Sequence, residues 1–373
     1  MSTVAVVGGG IGGLSAACAL AADGHQVTLL EQEARFEAIG AGLILTPNAV
    51  QPLARLGVDL GGEGQVLSSL QVCDRSGRPL NTIDLAGLAE TYGPSYGITR
   101  PRLHALLAAA LPASVNVVLG ATVTAVAESG DQVSVTWTGG KESFGIVVAA
   151  DGLRSGVRTM IGGSDQLRYS NNTCWRGIVP LEGVGPGAVE AWGNGTRVGV
   201  VPVGDGQVYY YLVLVSPPDA RPLHFEQLKS VFAGYRGTAG RLLHSLTESP
   251  PYRHDLWERN KPFLGHGRVL LLGDAAHAMT PNQGQGAAMA IEDAVALADA
   301  LRPGTYGALE RYRAARGRRV RRVQLDSRRI GTLANLRGRR VVAVREALAR
   351  LAPPNAATAM MRRLVAAGPV SPL

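Results

Sequence analysis

Residues 4–31 read VAVVGGGIGGLSAACALAADGHQVTLLE, and this stretch constrains the fold more than any other. A β-branched run ends in glycines, the glycines open an alanine-rich segment of helical length, and a second apolar run ends on Glu31. Gly8, Gly10 and Gly13 satisfy GxGxxG, with the acid about 20 residues on, the dinucleotide spacing. Each part has a physical task. Gly8 permits a tight turn, Gly10 lets backbone approach a pyrophosphate, and Gly13 lets the helix pack on the strand, while Glu31 would accept hydrogen bonds from a ribose. The order predicts an α/β nucleotide-binding unit at the N-terminus.

The rest of the chain sets bounds. At 373 residues with 46% apolar content it is long enough for two domains and an ample core. Cys18, Cys73 and Cys174 are odd in number and scattered, so neither a disulfide framework nor a metal site is expected. The apolar run 4–22 lacks a preceding basic residue and carries five glycines in 8–13, which argues against a signal peptide; a cytoplasmic protein without membrane insertion is the expectation. Charge is uneven. Segment 302–350 holds 15 Arg and 3 acids, a net +12, against +8 for the whole chain, so the remainder carries 8 − 12 = −4. A nucleic-acid or anionic-membrane surface would explain such an arm, and so would a solvated or oligomer-facing helical face. No aromatic or nucleic-acid-binding motif accompanies the arginines, which favours the second and predicts no nucleic-acid partner.

Along the chain, 40–58 reads as a glycine-flanked strand and a helix, and 98–111 as a helix with Arg100 and Arg102 in its first turn. Arginine there opposes the helix dipole, so a nearby anion would rationalise it. Short strands within 115–150 would extend or cap the first sheet and end at Asp151-Gly152, where the carboxylate, taken alone, reads as a helix cap. From 169 to 215 the chain turns to strands separated by Gly and Pro, an inserted antiparallel sheet. Its RVGVVPVGDGQVYYY run places a Gly-Asp-Gly turn between two strands, with Arg197 and Tyr209 expected near equivalent heights. Two helices within 225–245 and a strand at 254–258 follow. Then LLLGDAAHAMTPNQGQGAAMAIEDA (270–294) gives a buried strand, a Gly-Asp corner, a Pro/Asn/Gly loop and a helix, before the arginine-rich arm with breaks expected at Gly331 and Gly338.

Three signatures now stand in order: GGGIGG with Glu31, AADGLRSGVR at 149–158, and the 270–294 stretch. Together they resemble the single-component FAD-dependent aromatic hydroxylases, the class of para-hydroxybenzoate, salicylate and urate hydroxylases and of zeaxanthin epoxidase. The resemblance covers nearly the whole chain. It implies an α/β fold: a Rossmann-type FAD-binding domain (1–168 and 254–302), an inserted antiparallel β-sheet substrate domain (169–253) and a C-terminal helical arm (303–373). By the family pattern Gly10, Ile11, Gly12 and Gly13 take the FAD pyrophosphate, Glu31 the ribose, Arg100 the phosphates, and Val123 the adenine through its backbone. Asp151 and Gly152 match the DG motif linked to FAD and NAD(P)H use. Asp274 matches the aspartate on the ribityl chain, and Pro281, Gly284, Gln285, Gly286 and Ala287 match the loop beside the isoalloxazine ring.

The activity implied is hydroxylation or epoxidation of an aromatic or other electron-rich small molecule with NAD(P)H and O2, through a flavin C4a-hydroperoxide. Arg197 and Tyr209 become candidates for placing substrate, beside the plainer reading of a sheet salt bridge and a core tyrosine. His277 reads as structural. Two departures stand out. The family often has Asn where this chain has Ala288, and the halogenase WxWxIP motif has only a partial match at Trp175 to Pro180, without the second Trp. The competing reading is an accessory flavoprotein that uses the arginine arm as a partner surface.

Overall fold

A computed structural model describes residues 1–36, 40–248 and 250–369. The first apolar run forms the strand Thr3–Val7, with Val4 to Val7 all buried, because helix Ile11–Ala22 and the antiparallel strands Gln132–Trp137 and Gly140–Phe144 pack on its sheet. Each of the three valines contributes about 1.5–3 kcal/mol by leaving water. The sheet has six strands, in the order Gly265–His266, Val269–Leu271, Ile146–Ala149, Thr3–Val7, Gln26–Glu31 and Asn116–Leu119. All its pairings are parallel except the first. Helices Ile11–Ala22 and Gly286–Leu301 pack on one another beside it.

Register brings the three signatures together. Val7 pairs with Ala149 and Ala149 with Leu271, so three strands far apart in sequence end on one rung. The next residues stay in step, since Ala150 N–H donates to Val7 O at 2.8 Å and Leu272 N–H to Ala149 O at 3.1 Å. The glycine turn, Asp151 and Gly273-Asp274 therefore leave the sheet side by side at its carboxyl edge, where ligands bind in open α/β sheets.

Of the strands within 115–150, Asn116–Leu119 and Ile146–Ala149 join this sheet, while Val123–Ser129, Gln132–Trp137 and Gly140–Phe144 form a separate antiparallel one. A seven-stranded sheet contains Tyr252–Glu258, Arg168–Pro180, Gln207–Val215, Thr196–Gly204, Gly187–Trp192, Ser69–Asp74 and Pro79–Asp84 in that order. Two of its strands come from 69–84, well ahead of the strand-rich 169–215. Helices Phe225–Val231 and Gly237–Ser245 cover one face, packing Leu228, Phe232 and Leu242 on Trp175, Val198 and Leu212.

Two expectations fail here. Tyr209 lies opposite Val201, and Arg197 opposite Val213, so the pair shares a face but not a height. Four strand positions, about 13 Å, separate them. Likewise the helix Ala308–Ala334 runs through Gly331 without a break and stops only before Gly338. Gly331 is there for packing: a Cβ would lie 2.2 Å from Asn282 Nδ2.

Part of the arginine run is tied to the body of the protein. Arg316 is buried and donates to Glu292 at 2.5 Å and Asp293 at 2.7 Å, Arg319 holds the same Glu292, and Arg313 reaches Gly265 O at 2.6 Å. The buried residues Tyr312, Arg316, Val320, Val323 and Ser327 recur at helical spacing. This face staples the arm to the cofactor half of the molecule. Among the described residues no helix is long and apolar enough to cross a membrane, and no His/Cys/Asp/Glu cluster could hold a metal.

Candidate active site

The glycines divide by what surrounds them. A Cβ on Gly8 would lie 2.6 Å from Ala150 O, on Gly12 2.6 Å from Leu272 Cδ1, and on Gly13 1.8 Å from Gly8 O, so these three serve packing within the protein, Gly8 and Gly13 against backbone and Gly12 against a side chain. Gly10 and Gly286 are different. Neither has a positive φ, and a Cβ on either would meet nothing within 4 Å; among the described residues only Gly185, in a turn, shares both properties. The protein itself therefore gives no reason for glycine at 10 or 286. Both stand where helices begin, Gly10 as N-cap and Gly286 as first residue, and neither helix has a capping side chain or an acid in its first turn. Free N–H groups and a partial positive charge face open space at both points. That is a cradle for an anionic ligand, and it fits a pyrophosphate at one end and a flavin ring edge at the other.

Second contacts hold the cradle in shape. Glu31 Oε2 accepts from Gly9 N–H at 2.5 Å and its Oε1 from Glu33 N–H at 2.9 Å, so the acid braces the glycine loop. His104, buried on helix Arg100–Ala109, bonds Gly9 O at 2.7 Å. Val123 begins its strand just after Ala121, whose N–H donates to Glu31 O at 2.8 Å. Asp151 accepts from Ser155 Oγ at 2.6 Å and Val157 N–H at 3.1 Å, bracing the first turn of the short helix Gly156–Met160, whose N-cap is Ser155. Burial raises its carboxyl, against these hydrogen bonds. Gly152 beside it has φ +78° and open space. From the same helix Arg158 reaches back to Ala275 O and Ala276 O at 3.0 and 3.1 Å, tying the Asp151 corner to the Asp274 corner.

Asp274 opens the short helix Gly273–His277, and its side chain is accessible within a cleft walled by protein. Loss of water there pushes its carboxyl up, while His277 and Arg100 pull it down. Arg100 is lowered by the same enclosure and steadied by Asp274, so the two face a common space. Arg102 instead pairs with Glu63 on the outside. His277 is structural: buried, it bonds Asp293 at 2.5 Å, and Asp293 also accepts from Gly273 N–H at 3.0 Å. Burial alone would raise Asp293, but His277 and Arg316 outweigh it and hold the carboxyl at about 2.

In the following loop Pro281 and Gly284 are exposed, and Gly286 and Ala287 are half-buried. Gln285 is buried, its side-chain amide accepting from Asn48 Nδ2 at 3.0 Å and donating to Thr46 Oγ1 at 3.1 Å. Ala288, the family's Asn position, is fully buried in the core and presents nothing to a cofactor.

The other wall is the face of the seven-stranded sheet turned away from helices Phe225–Val231 and Gly237–Ser245, where alternation lines up Arg176, Ile178, Tyr209, Tyr211 and Arg197. Arg197 is buried and pairs with Glu190 at 3.0 Å, and its other nitrogen donates to Asn282 Oδ1 at 2.8 Å. Glu190 also accepts from Tyr211 Oη at 2.8 Å. Arg197 thus bolts the sheet to the Pro281 loop. Tyr209 packs under Gly42, where a Cβ would lie 2.5 Å from its own. Its hydroxyl has no partner among the described residues, and burial, opposed by Arg176, pushes it up to about 12, so it stays a neutral donor. Arg176 is half-buried and forms no ion pair among the described residues. Its charge is felt by Tyr209, Arg100 and His254, the last held down by burial and then by these arginines. Arg176, His254 and Asn282 escaped the sequence reading, although the period of two that aligns Arg176 with Ile178 was available.

The family described as "FAD binding domain" matches residues 1–325. The chain belongs to this family. It is 35% identical to an aurachin C monooxygenase/isomerase of Stigmatella aurantiaca, with 97% of each chain covered. It is 33% identical to a 2-heptyl-3-hydroxy-4(1H)-quinolone synthase of Pseudomonas aeruginosa (94% of each), and 34% to an FAD-dependent urate hydroxylase of Klebsiella pneumoniae (87% and 88%). A single-substitution variant of Klebsiella pneumoniae HpxO complexed with FAD superposes with a TM-score of 0.89 at 30% identity, covering 99% and 100%, and a salicylate hydroxylase substrate complex with 0.79 at 25%, covering 98% of each. This protein is an FAD-dependent monooxygenase, with NAD(P)H as the reductant typical of its class. The accessory-flavoprotein reading has no support among these relatives.

Proposed function

We propose that this monooxygenase hydroxylates, with dioxygen as co-substrate, an oxygen-bearing heteroaromatic ring of the 4(1H)-quinolone type that carries a lipophilic substituent. Bound FAD supplies the redox chemistry, accepting a hydride from NAD(P)H and activating oxygen. The cofactor would lie along the carboxyl edge of the six-stranded sheet, its phosphates at Gly10 to Gly13 and Arg100, its ribityl chain at Asp274, and its ring at the Pro281 to Ala287 loop.

The observation that carries the substrate reading is the charge pattern of the sheet face. Arg197 is neutralised by Glu190, and Ile178, Tyr209, Tyr211 and Tyr252 make the wall aromatic and apolar, leaving Arg176 as the cation that faces the cleft. A ring that carries one oxygen and an apolar tail suits this wall better than a carboxylate or a polyanion. Arg176 would hold the ring oxygen as an oxyanion, which makes the adjacent carbon more nucleophilic, and Tyr209 would donate a hydrogen bond without taking a proton. Two of the relatives above, named for a quinolone and for aurachin C, align over nearly the whole chain.

The test compares NAD(P)H oxidation by the FAD-loaded protein in the presence of a 2-alkyl-4(1H)-quinolone, urate and 3-amino-4-hydroxybenzoate. The quinolone should accelerate it most, and Arg176→Met should raise KM for it roughly ten- to a hundredfold, the value of a hydrogen bond to a charged group. Greater acceleration by urate or the benzoate sinks the reading.

A further inference from the structure

The helix Arg339–Leu351 is built inside out. A surface helix normally turns its charges to water and its apolar stripe inward. Here the inward side carries Arg345, buried, stacked over Trp192 at 5.4 Å and donating to Ala334 O at 3.0 Å and Gly193 O at 3.2 Å. The outward side carries Val341, Val344, Leu348 and Leu351, which are 46%, 59%, 63% and 80% exposed. Their spacing of three, four and three residues puts them on one stripe. The helix's single acid, Glu346, lies off this stripe beside Arg345 and Arg350.

The N-terminal end adds a second observation. Arg339 and Arg340 occupy the first turn, where the helix dipole disfavours cations, with no acid in that turn and no ion pair for either among the described residues. The exposed Arg362 and Arg363 of helix Ala356–Ala366 follow, and 333–369 holds 7 Arg and 1 acid, a net +6. A second copy of this face would bring a like net charge of +6 against it. An anionic lipid surface accommodates both parts, with the stripe at the acyl boundary and phosphates beside the first-turn arginines and backbone N–H groups.

We propose that helix Arg339–Leu351 docks this enzyme on an anionic membrane surface, lying in the interface without spanning it. The proposal is independent of the substrate reading.

It is tested by co-sedimenting the full-length, FAD-loaded protein with phosphatidylcholine vesicles and with mixed phosphatidylcholine–phosphatidylglycerol vesicles. Binding to the mixed vesicles should be at least about tenfold stronger and should weaken with salt. Val344→Asp with Leu348→Asp should lower it about tenfold or more, and Arg339→Gln with Arg340→Gln should lower it and flatten the salt dependence, both with unchanged flavin content and melting temperature. Equal binding to both vesicle types, or none to either, overturns the proposal. So does a concentration-dependent dimer that the Val344/Leu348 pair of substitutions dissolves, since the stripe would then belong to a second copy of the chain.

Discussion

The contrast between Gly10 and Gly13 separates cofactor binding from folding within one four-residue motif. Gly10 has φ −73° and ψ −177°, ordinary extended backbone, so Gly10→Ala introduces no strain and its methyl touches no protein atom. Lower unfolded-state entropy contributes about 0.4–1 kcal/mol of stability, and the poorer N-cap costs about as much, so apoprotein stability should change by less than about 1 kcal/mol. The methyl would stand where the pyrophosphate reaches the helix N-terminus. Loss of one charge-assisted hydrogen bond, about 1.5–3 kcal/mol, corresponds to a roughly ten- to hundredfold weaker Kd for FAD. Gly13→Ala does the reverse. Its Cβ would lie 1.8 Å from Gly8 O, a backbone atom, and overpacking of this kind costs about 1–3 kcal/mol or more, several degrees of melting temperature. The assay is a thermal melt of each apoprotein beside an FAD titration followed by flavin fluorescence. Gly286→Ala should follow Gly10→Ala. If Gly10→Ala binds FAD like the parent, or melts as early as Gly13→Ala, the assignment of the cradle is wrong.

Other outcomes follow from the same geometry. Asp274→Ala should purify with much less FAD at unchanged melting temperature of the apoprotein, read from the flavin-to-protein absorbance ratio; full retention would contradict its place on the ribityl chain. Asn282→Ala removes the acceptor for buried Arg197 and should destabilise by about 1–3 kcal/mol while raising KM, checked by denaturant melts and steady-state kinetics. Asp293, held at about 2 against an ordinary 3.8, contributes stability that is present above the ordinary carboxyl value and lost as pH falls through that window. The linkage is of order 2 kcal/mol, so Asp293→Asn should lose about that much at neutral pH and show a flatter acid limb in melting temperature against pH.

The cofactor half was legible in the sequence because its demands are local. A strand end that must bring backbone to a phosphate needs Gly, and one that must present a carboxylate needs Gly-Asp, so Gly8 to Gly13, Asp151 and Asp274 announce themselves. The sequence could not show that these corners share a rung, which depends on Val7, Ala149 and Leu271 pairing across long separations. The strands within 69–84 joined the far sheet for the same non-local reason. Arg197 and Tyr209 were misplaced relative to each other although most of the information was present: counting outward from Asp205-Gly206 puts Pro202 opposite Tyr209, five residues from Arg197, and the irregularity between Pro202 and Gly204 moves that partner to Val201. Arginines on the long helix look alike in sequence, and only the helical spacing of Tyr312, Arg316, Val320 and Val323 separates buried from wetted ones.

The central claim is that this chain inserts one oxygen atom from dioxygen into an electron-rich heteroaromatic ring. Heavy-isotope dioxygen, NAD(P)H, the FAD-loaded protein and a 2-alkyl-4(1H)-quinolone, analysed by mass spectrometry, test it directly. The account predicts a product that gains a single labelled oxygen on the ring, with one NAD(P)H consumed per product. Oxidation of NAD(P)H that yields only hydrogen peroxide with every heteroaromatic ring tried, or a product whose new oxygen comes from water, would contradict it.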